Sequence, residues 1–219
     1  MLRLPMRTAR CCFLSLALGP ILGAAGFPTP LKDIPAPANH QAQTAVFAGG
    51  CFWGVEEVFE HLKGVSSAVS GYSGGSKSTA IYEVVSAGRT GHAESVRVTY
   101  DPSQISYGQL LQVFFSVAHD PTQVGGQGPD LGSQYRSAIF YGTDEQQQVS
   151  AAYIQQLNTA RIFSRPIATQ LTPLTAFYPA EEYHQHFAAR NPNYAYVVAY
   201  DLPKVQRLRQ QFPQLWKGN

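Results

Sequence analysis

Gly49-Gly50-Cys51-Phe52-Trp53-Gly54 is the stretch of this 219-residue chain whose residue types point most directly to chemistry. Paired glycines let the backbone turn sharply and pass close to a ligand. An apolar period that starts at Phe52 puts the thiol at the first turn of a helix, where unsatisfied N–H groups and the positive end of the helix dipole favour a thiolate. A free cysteine is more often a buried small hydrophobe. Here the glycine pair, the helix start and two large rings favour a nucleophile beside an apolar wall, suited to a substrate with a small apolar group. The second candidate is Glu94, in register with Val96, Val98 and Tyr100 and opposite to Ser95, Arg97 and Thr99. That register aims it at a packed face, where burial raises a carboxyl pKa until the group can donate a proton near neutral pH.

The elements around these residues must hold them in place. Residues 45–48 read as a buried strand ending at Gly49-Gly50. Phe52, Val55, Phe59 and Leu62 then form the apolar stripe of an amphipathic helix, opposed by Glu56, Glu57, Glu60 and Lys63. Strands are predicted at 65–72, at about 92–100 and at 138–141, with a glycine-rich loop from 71 to 75 and a polar one over 119–134. Tyr107, Leu110, Leu111, Phe114 and Phe115 mark a second helix. Thr143 and Gln146 suggest a capping box for a further helix ending before Pro166. The order β-α-β-β-α-β predicts an α+β fold, a split-βαβ, ferredoxin-like two-layer sandwich. Strand and loop are expected to be added from about 167.

Composition narrows the classes further. Residues 1–26 open with Arg3, Arg7 and Arg10, continue through an apolar run at 11–25 broken by Gly19-Pro20, and place Ala24 and Gly26 at the −3 and −1 positions of a cleavage site. This predicts a secretory signal peptide, with an exported chain in the periplasm or medium. A mitochondrial transit peptide is the alternative, although its Arg/Ser-rich amphipathic pattern is lacking. Residues 27–43, with Pro28, Pro30, Pro35 and Pro37, read as an extended linker, and 44–219 as one catalytic domain. Cys11 and Cys12 fall in the leader, so Cys51 is the lone cysteine expected in the mature chain. The leader also holds three of the 16 basic residues, so the remainder carries one more acid than base and no footprint for nucleic acid. His184 and His186 alternate without a third ligand at metal-site spacing, and the glycines form neither GxGxxG nor a P-loop. No bound cofactor or metal is expected.

The motif Gly50-Cys51-Phe52-Trp53-Gly54 resembles that of the A-class peptide methionine sulfoxide reductases. So do Gly71-Tyr72-Ser73-Gly74-Gly75, Tyr82, Thr90-Gly91-His92-Ala93-Glu94, His119-Asp120-Pro121-Thr122, Gln127-Gly128 with Asp130, Gln134-Tyr135-Arg136-Ser137, and Ala180-Glu181 with Tyr183-His184-Gln185. The likeness runs in order from about 44 to 217. It implies that Cys51 attacks the sulfoxide sulfur and that Glu94 protonates its oxygen. It also implies that Tyr82 and Tyr135 hydrogen-bond that oxygen, that Phe52 and Trp53 hold the S-methyl group, and that Asp130 supports them. The implied reaction is repair of the S-epimer of methionine sulfoxide, free or in proteins, through a sulfenic acid on Cys51.

Two departures stand out. Ala80-Ile81 precede Tyr82 where the family often has Pro-Thr, and the recycling cysteines that many members carry near the C-terminus are absent. The resemblance therefore implies a single-cysteine member served by an external thiol of thioredoxin, glutaredoxin or small-molecule type, working as a monomer and free of the membrane once the leader is removed. Two other readings use the same residues. A cysteine peroxidase would want Arg or Thr beside the thiol rather than Phe-Trp, and a peptide-binding module would not need the thiol.

Overall fold

The computed structural model describes residues 26–39 and 41–218, so the expected leader, 1–26, lies outside the described residues except for Gly26. Strand β1 (Gln43–Gly49) is buried from Ala45 onward and leads through Gly50 and Cys51 into helix α1 (Phe52–Glu60). Then follow β2 (Val65–Ser73), the single-turn α2 (Tyr82–Val85), β3 (Ala93–Tyr100) and α3 (Tyr107–Val113), which widens into a π turn over Phe114–Ala118. A small hairpin, β4 (Gly126–Gln127) and β5 (Asp130–Leu131), precedes β6 (Ser137–Tyr141) and the long α4 (Asp144–Thr159). The chain ends with β7 (Gln170–Pro173), β8 (Phe177–Pro179), α5 (Phe187–Arg190), a π turn at Val197–Asp201 and α6 (Leu202–Gln211).

Six strands make one sheet in the order β7-β6-β1-β3-β2-β8. Its pairings are antiparallel except the parallel β6–β7 edge. The fold is thus mixed α and β, with the strands that carry the chemistry, β1 and β3, at the middle of the sheet. Aromatic packing fixes α1 on that sheet: the Phe47 ring of β1 stacks on Phe59 at 5.1 Å and on Phe114 at 5.0 Å. Both Phe47 and Phe59 are fully buried. Phe59→Ala should therefore cost about 3–5 kcal/mol of stability, measured by denaturant unfolding, because the hole cannot collapse between two rigid elements.

Three expectations need correction. The stretch after 167 adds β7 and β8 but is mainly helical toward its end, with α5 and α6 packed against α1. That packing buries the side of α1 expected to face water: Glu56 is 1% exposed and Glu57 7%. Glu56 accepts hydrogen bonds from Ser70 Oγ and the His186 N–H, both at 3.0 Å, and burial pushes its carboxyl up to about 7. The Thr143 cap is only half a box. Its hydroxyl accepts from the Gln146 N–H at 3.2 Å, but the Gln146 side chain turns instead to the Gly142 N–H and the Thr44 carbonyl. Ser106 and Gln109 complete the reciprocal box, at the start of α3.

The proline-rich segment forms neither helix nor strand before β1 among the described residues. It nevertheless runs along the body. Tyr153 Oη donates to the Pro28 carbonyl at 2.5 Å, Gln112 to the Phe27 carbonyl at 2.8 Å, and Asp33 accepts from Ser106 Oγ at 2.5 Å and the Gly108 N–H at 2.7 Å.

Candidate active site

Cys51 is the N-cap of α1 and offers its helix no side-chain cap. The open N–H at Phe52 is satisfied from β3, where Glu94 Oε2 accepts it at 3.1 Å. One hydrogen bond therefore brings the acid to the residue next to the thiol and closes the helix end. Gly50 makes the turn possible at φ +92, and a Cβ there would lie 2.6 Å from Gln127 Cγ. Gly54 has a different purpose: a Cβ would strike Asp201 Oδ1 at 2.1 Å, so only glycine lets the start of α6 sit against α1.

A cavity of about 210 Å³ opens beside the sulfur. Its walls bring together all seven residues singled out in the sequence: Cys51, Phe52, Trp53, Tyr82, Glu94, Asp130 and Tyr135. Tyr194 and Tyr196 join them, and among the described residues no arginine or threonine does. The Tyr196 hydroxyl donates to Asp130, whereas those of Tyr82 and Tyr135 donate to no protein group among the described residues and remain available to an incoming oxygen.

Surrounding groups fix the walls. Trp53 stacks on Phe187 with ring centres 3.7 Å apart, and its indole N–H donates to His184 Nδ1 at 3.1 Å. His184 is buried and also packs against the rings of Phe52 and Tyr82, at 5.0 and 4.4 Å. Glu181 accepts from the Tyr72 hydroxyl and the Tyr82 N–H, both at 2.9 Å, which sets the Tyr82 turn on the sheet. Gln185 bonds both the N–H and the carbonyl of Ser70 at 3.0 Å, taking a strand's place at that edge. Arg136 ties Tyr135 to the lead-in of β3 through the Gly91 and His92 carbonyls, at 3.0 Å each. His186 points elsewhere, to Glu60 at 2.5 Å, and with Glu56 forms a group of three donors within 4.8 Å of one another.

Burial sets the electrostatics. Glu94 is 2% exposed, which pushes its pKa up to about 8; the Phe52 N–H pulls the other way and loses. At neutral pH the carboxyl keeps its proton. The thiol departs from expectation. Cys51 is 8% exposed, and burial, then the nearby Glu94 carboxyl, hold it well above the ordinary thiol range despite the Trp53 N–H aimed at it. Desolvation outweighs the helix end here, so the resting residue is a thiol rather than the expected thiolate.

If the Trp53 ring shapes the cavity, Trp53→Ala should slow sulfoxide turnover by roughly 10-fold or more, about the scale of lost apolar contacts. Alkylation of the thiol by iodoacetamide should change much less. Equal losses in the two assays would assign the ring to the thiol or to the fold.

The family described as peptide methionine sulfoxide reductase matches residues 43–216. A peptide methionine sulfoxide reductase MsrA 2 of Mesorhizobium japonicum is 60% identical over 175 residues, covering 80% of this chain and 90% of that protein. One of the same name from Synechocystis is 54% identical over 194 residues, covering 87% and 90%. Among solved structures, reduced Mxr1 of Saccharomyces cerevisiae aligns with a TM-score of 0.65 at 32% identity, over 75% of this chain and 93% of that one. The methionine sulfoxide reductase A of Corynebacterium diphtheriae aligns at 0.60 and 33% identity, over 76% and 87%.

Proposed function

The chain belongs to the peptide methionine sulfoxide reductase family and reduces methionine sulfoxide to methionine through a cysteine sulfenic acid, and we propose how its residues divide that work. Cys51 attacks the sulfoxide sulfur while Glu94 gives its proton to the oxygen, with the Tyr82 and Tyr135 hydroxyls holding that oxygen as charge grows on it. Glu94 recovers a proton from the Cys51 thiol; the protonated oxygen then passes from the substrate sulfur to the Cys51 sulfur as the bond between the two sulfurs opens, which releases methionine and leaves Cys51 as a sulfenic acid. Phe52 and Trp53 enclose the S-methyl group, and Asp130, through Tyr196, braces the opposite wall. The observation that carries this reading is the single cavity that exposes a thiol, a protonated carboxyl and two unengaged tyrosine hydroxyls together.

The same reading assigns β6-β1-β3-β2 to a split-βαβ core, because β3 is inserted between β1 and β2, which run in the same direction. Export by way of the basic and apolar start belongs to it too, as does a monomer that draws electrons from an external thiol protein or small thiol.

Stoichiometry tests the scheme. One equivalent of the S-sulfoxide, without reductant, should release about one methionine per chain and leave one dimedone adduct on Cys51. Intact mass of the protein from its native compartment reads the adduct and the leader together. A Cys11–Cys51 disulfide in the mature chain would contradict both export and single-cysteine chemistry.

A further inference from the structure

Glu56 and Glu60 lie one turn apart on α1, so their side chains leave the helix on the same side. The chain returns to that side at His186, whose Nδ1 meets Glu60 Oε1 at 2.5 Å and whose N–H donates to Glu56 Oε2 at 3.0 Å. Each of the three residues offers a donor atom, and those atoms stand within 4.8 Å of one another. Glu57 turns instead to His61, at 3.1 Å. Sequence spacing cannot show this group, because His186 is 126 and 130 positions away from its partners.

The unfinished part is Glu56. It is 1% exposed, and its Oε2 is satisfied twice, by Ser70 Oγ and the His186 N–H. Its Oε1 is buried with no hydrogen-bond partner among the described residues. A buried acceptor left alone is costly. A proton on Oε1 would cancel the charge but would itself lack an acceptor, whereas a cation needs only the lone pair. A cavity of about 530 Å³ opens onto Glu60 and His186, which gives an ion a way in and room for water. Lys217 and Glu182, one of each sign, also line it.

We propose that Glu56, Glu60 and His186 form a binding site for a divalent cation of the Zn²⁺ class. Two carboxylates and a neutral imidazole cancel its charge. One nitrogen with two oxygens suits zinc better than calcium or magnesium, which take oxygen ligands. The ion replaces the proton between His186 and Glu60, and those two atoms part to about 3.3 Å, the span of neighbouring ligands at a tetrahedral zinc. Water from the cavity completes the shell. Ser70 and the His186 N–H already orient the Glu56 carboxylate from behind. So bound, the ion clasps α1 to the segment that holds Trp53, since His184 and Phe187, which flank His186 in the chain, both contact that indole.

The test uses the metal alone on the full chain carrying Cys51→Ser, so that the active-site thiol cannot take the ion. After chelator treatment, equilibrium dialysis should show one more Zn²⁺ per chain in this protein than in the same protein with His186→Gln or Glu60→Gln. Each of those changes should weaken the site by more than about 10-fold. The His186 and Glu60 side chains are 56% and 23% exposed, so both variants should keep the fold. Zinc at about 100-fold above its Kd should raise the melting midpoint of the parent by roughly 5–10 °C and leave that of the variants unmoved. Calcium should not compete. Equal zinc uptake by all three proteins, or none by the parent, would reduce the trio to a hydrogen-bonded cluster. Nothing in the site depends on sulfoxide reduction, so either of those results leaves the catalytic reading intact.

Discussion

Cys51→Ser is expected to fold as the wild type does and to release no measurable methionine, a loss greater than about 10³-fold. Serine fills nearly the same volume in a site only 8% exposed, and its hydroxyl can meet the Trp53 N–H that now faces the sulfur. Thermal melts should therefore differ by a few degrees at most, which separates lost chemistry from lost structure. An unaided hydroxyl is a poor nucleophile toward sulfur and cannot carry the oxygen away as a sulfenic acid. Turnover within tenfold of wild type, under dithiothreitol, would remove Cys51 from the centre of the reaction. A module that merely binds peptides would survive this substitution unchanged.

Glu94→Gln comes second, with an expected loss of roughly 10²–10⁴ in rate. Glutamine suits the experiment because its carbonyl can still accept the Phe52 N–H, now made at 3.1 Å, so the start of α1 stays closed. Only the proton is lost. The pH profile gives the sign: burial has raised this carboxyl to about 8, so the acid is loaded below that pH and emptied above it. Wild-type activity should hold from pH 6 to about 7.5 and fall as pH passes 8, whereas the residual activity of the variant should lack that limb. A variant matching wild type from pH 6 to 9 would mean the oxygen is protonated by another group.

The parts of this site that could be read from the sequence are those governed by short-range rules. The Gly-Gly-Cys junction and the change of period at Phe52 fixed the thiol at a helix start, and strand alternation aimed Glu94 inward, where it is 2% exposed. Tyr82, Tyr135 and Asp130 were accessible only through resemblance, because one tyrosine among twelve carries no local mark of function. Residues 180–211 hid the most. Helix α5 is four residues long and α6 is polar, so neither offers a clear apolar period, yet they supply Phe187 behind Trp53 and Asp201 against Gly54. Glu181, His184 and Gln185 shape the cavity from behind through contacts more than 90 residues apart in sequence. Tyr194 and Tyr196, two apart, were the remaining local hint, and the pattern is too common to decide anything. The thiol's protonation was misread for a related reason: a helix start is visible in a sequence, whereas the depth of its burial is a property of the whole fold.

That buried, protonated sulfur has a consequence for how long the enzyme lasts. Methionine becomes oxidised where peroxides are present, and a peroxide attacks thiolates far faster than thiols. Were Cys51 ionised and open to solvent, each oxidant encounter could carry it to the sulfinic or sulfonic acid, from which a reducing thiol cannot retrieve it. A residue that keeps its proton and shows 8% of its surface is a slow target between turnovers. Reactivity then arises only while a sulfoxide fills the cavity and gives Glu94 an oxygen to protonate. Such a site would tell a sulfoxide apart from the oxidant that made it, and turnover that outlasts a peroxide exposure is the expected result.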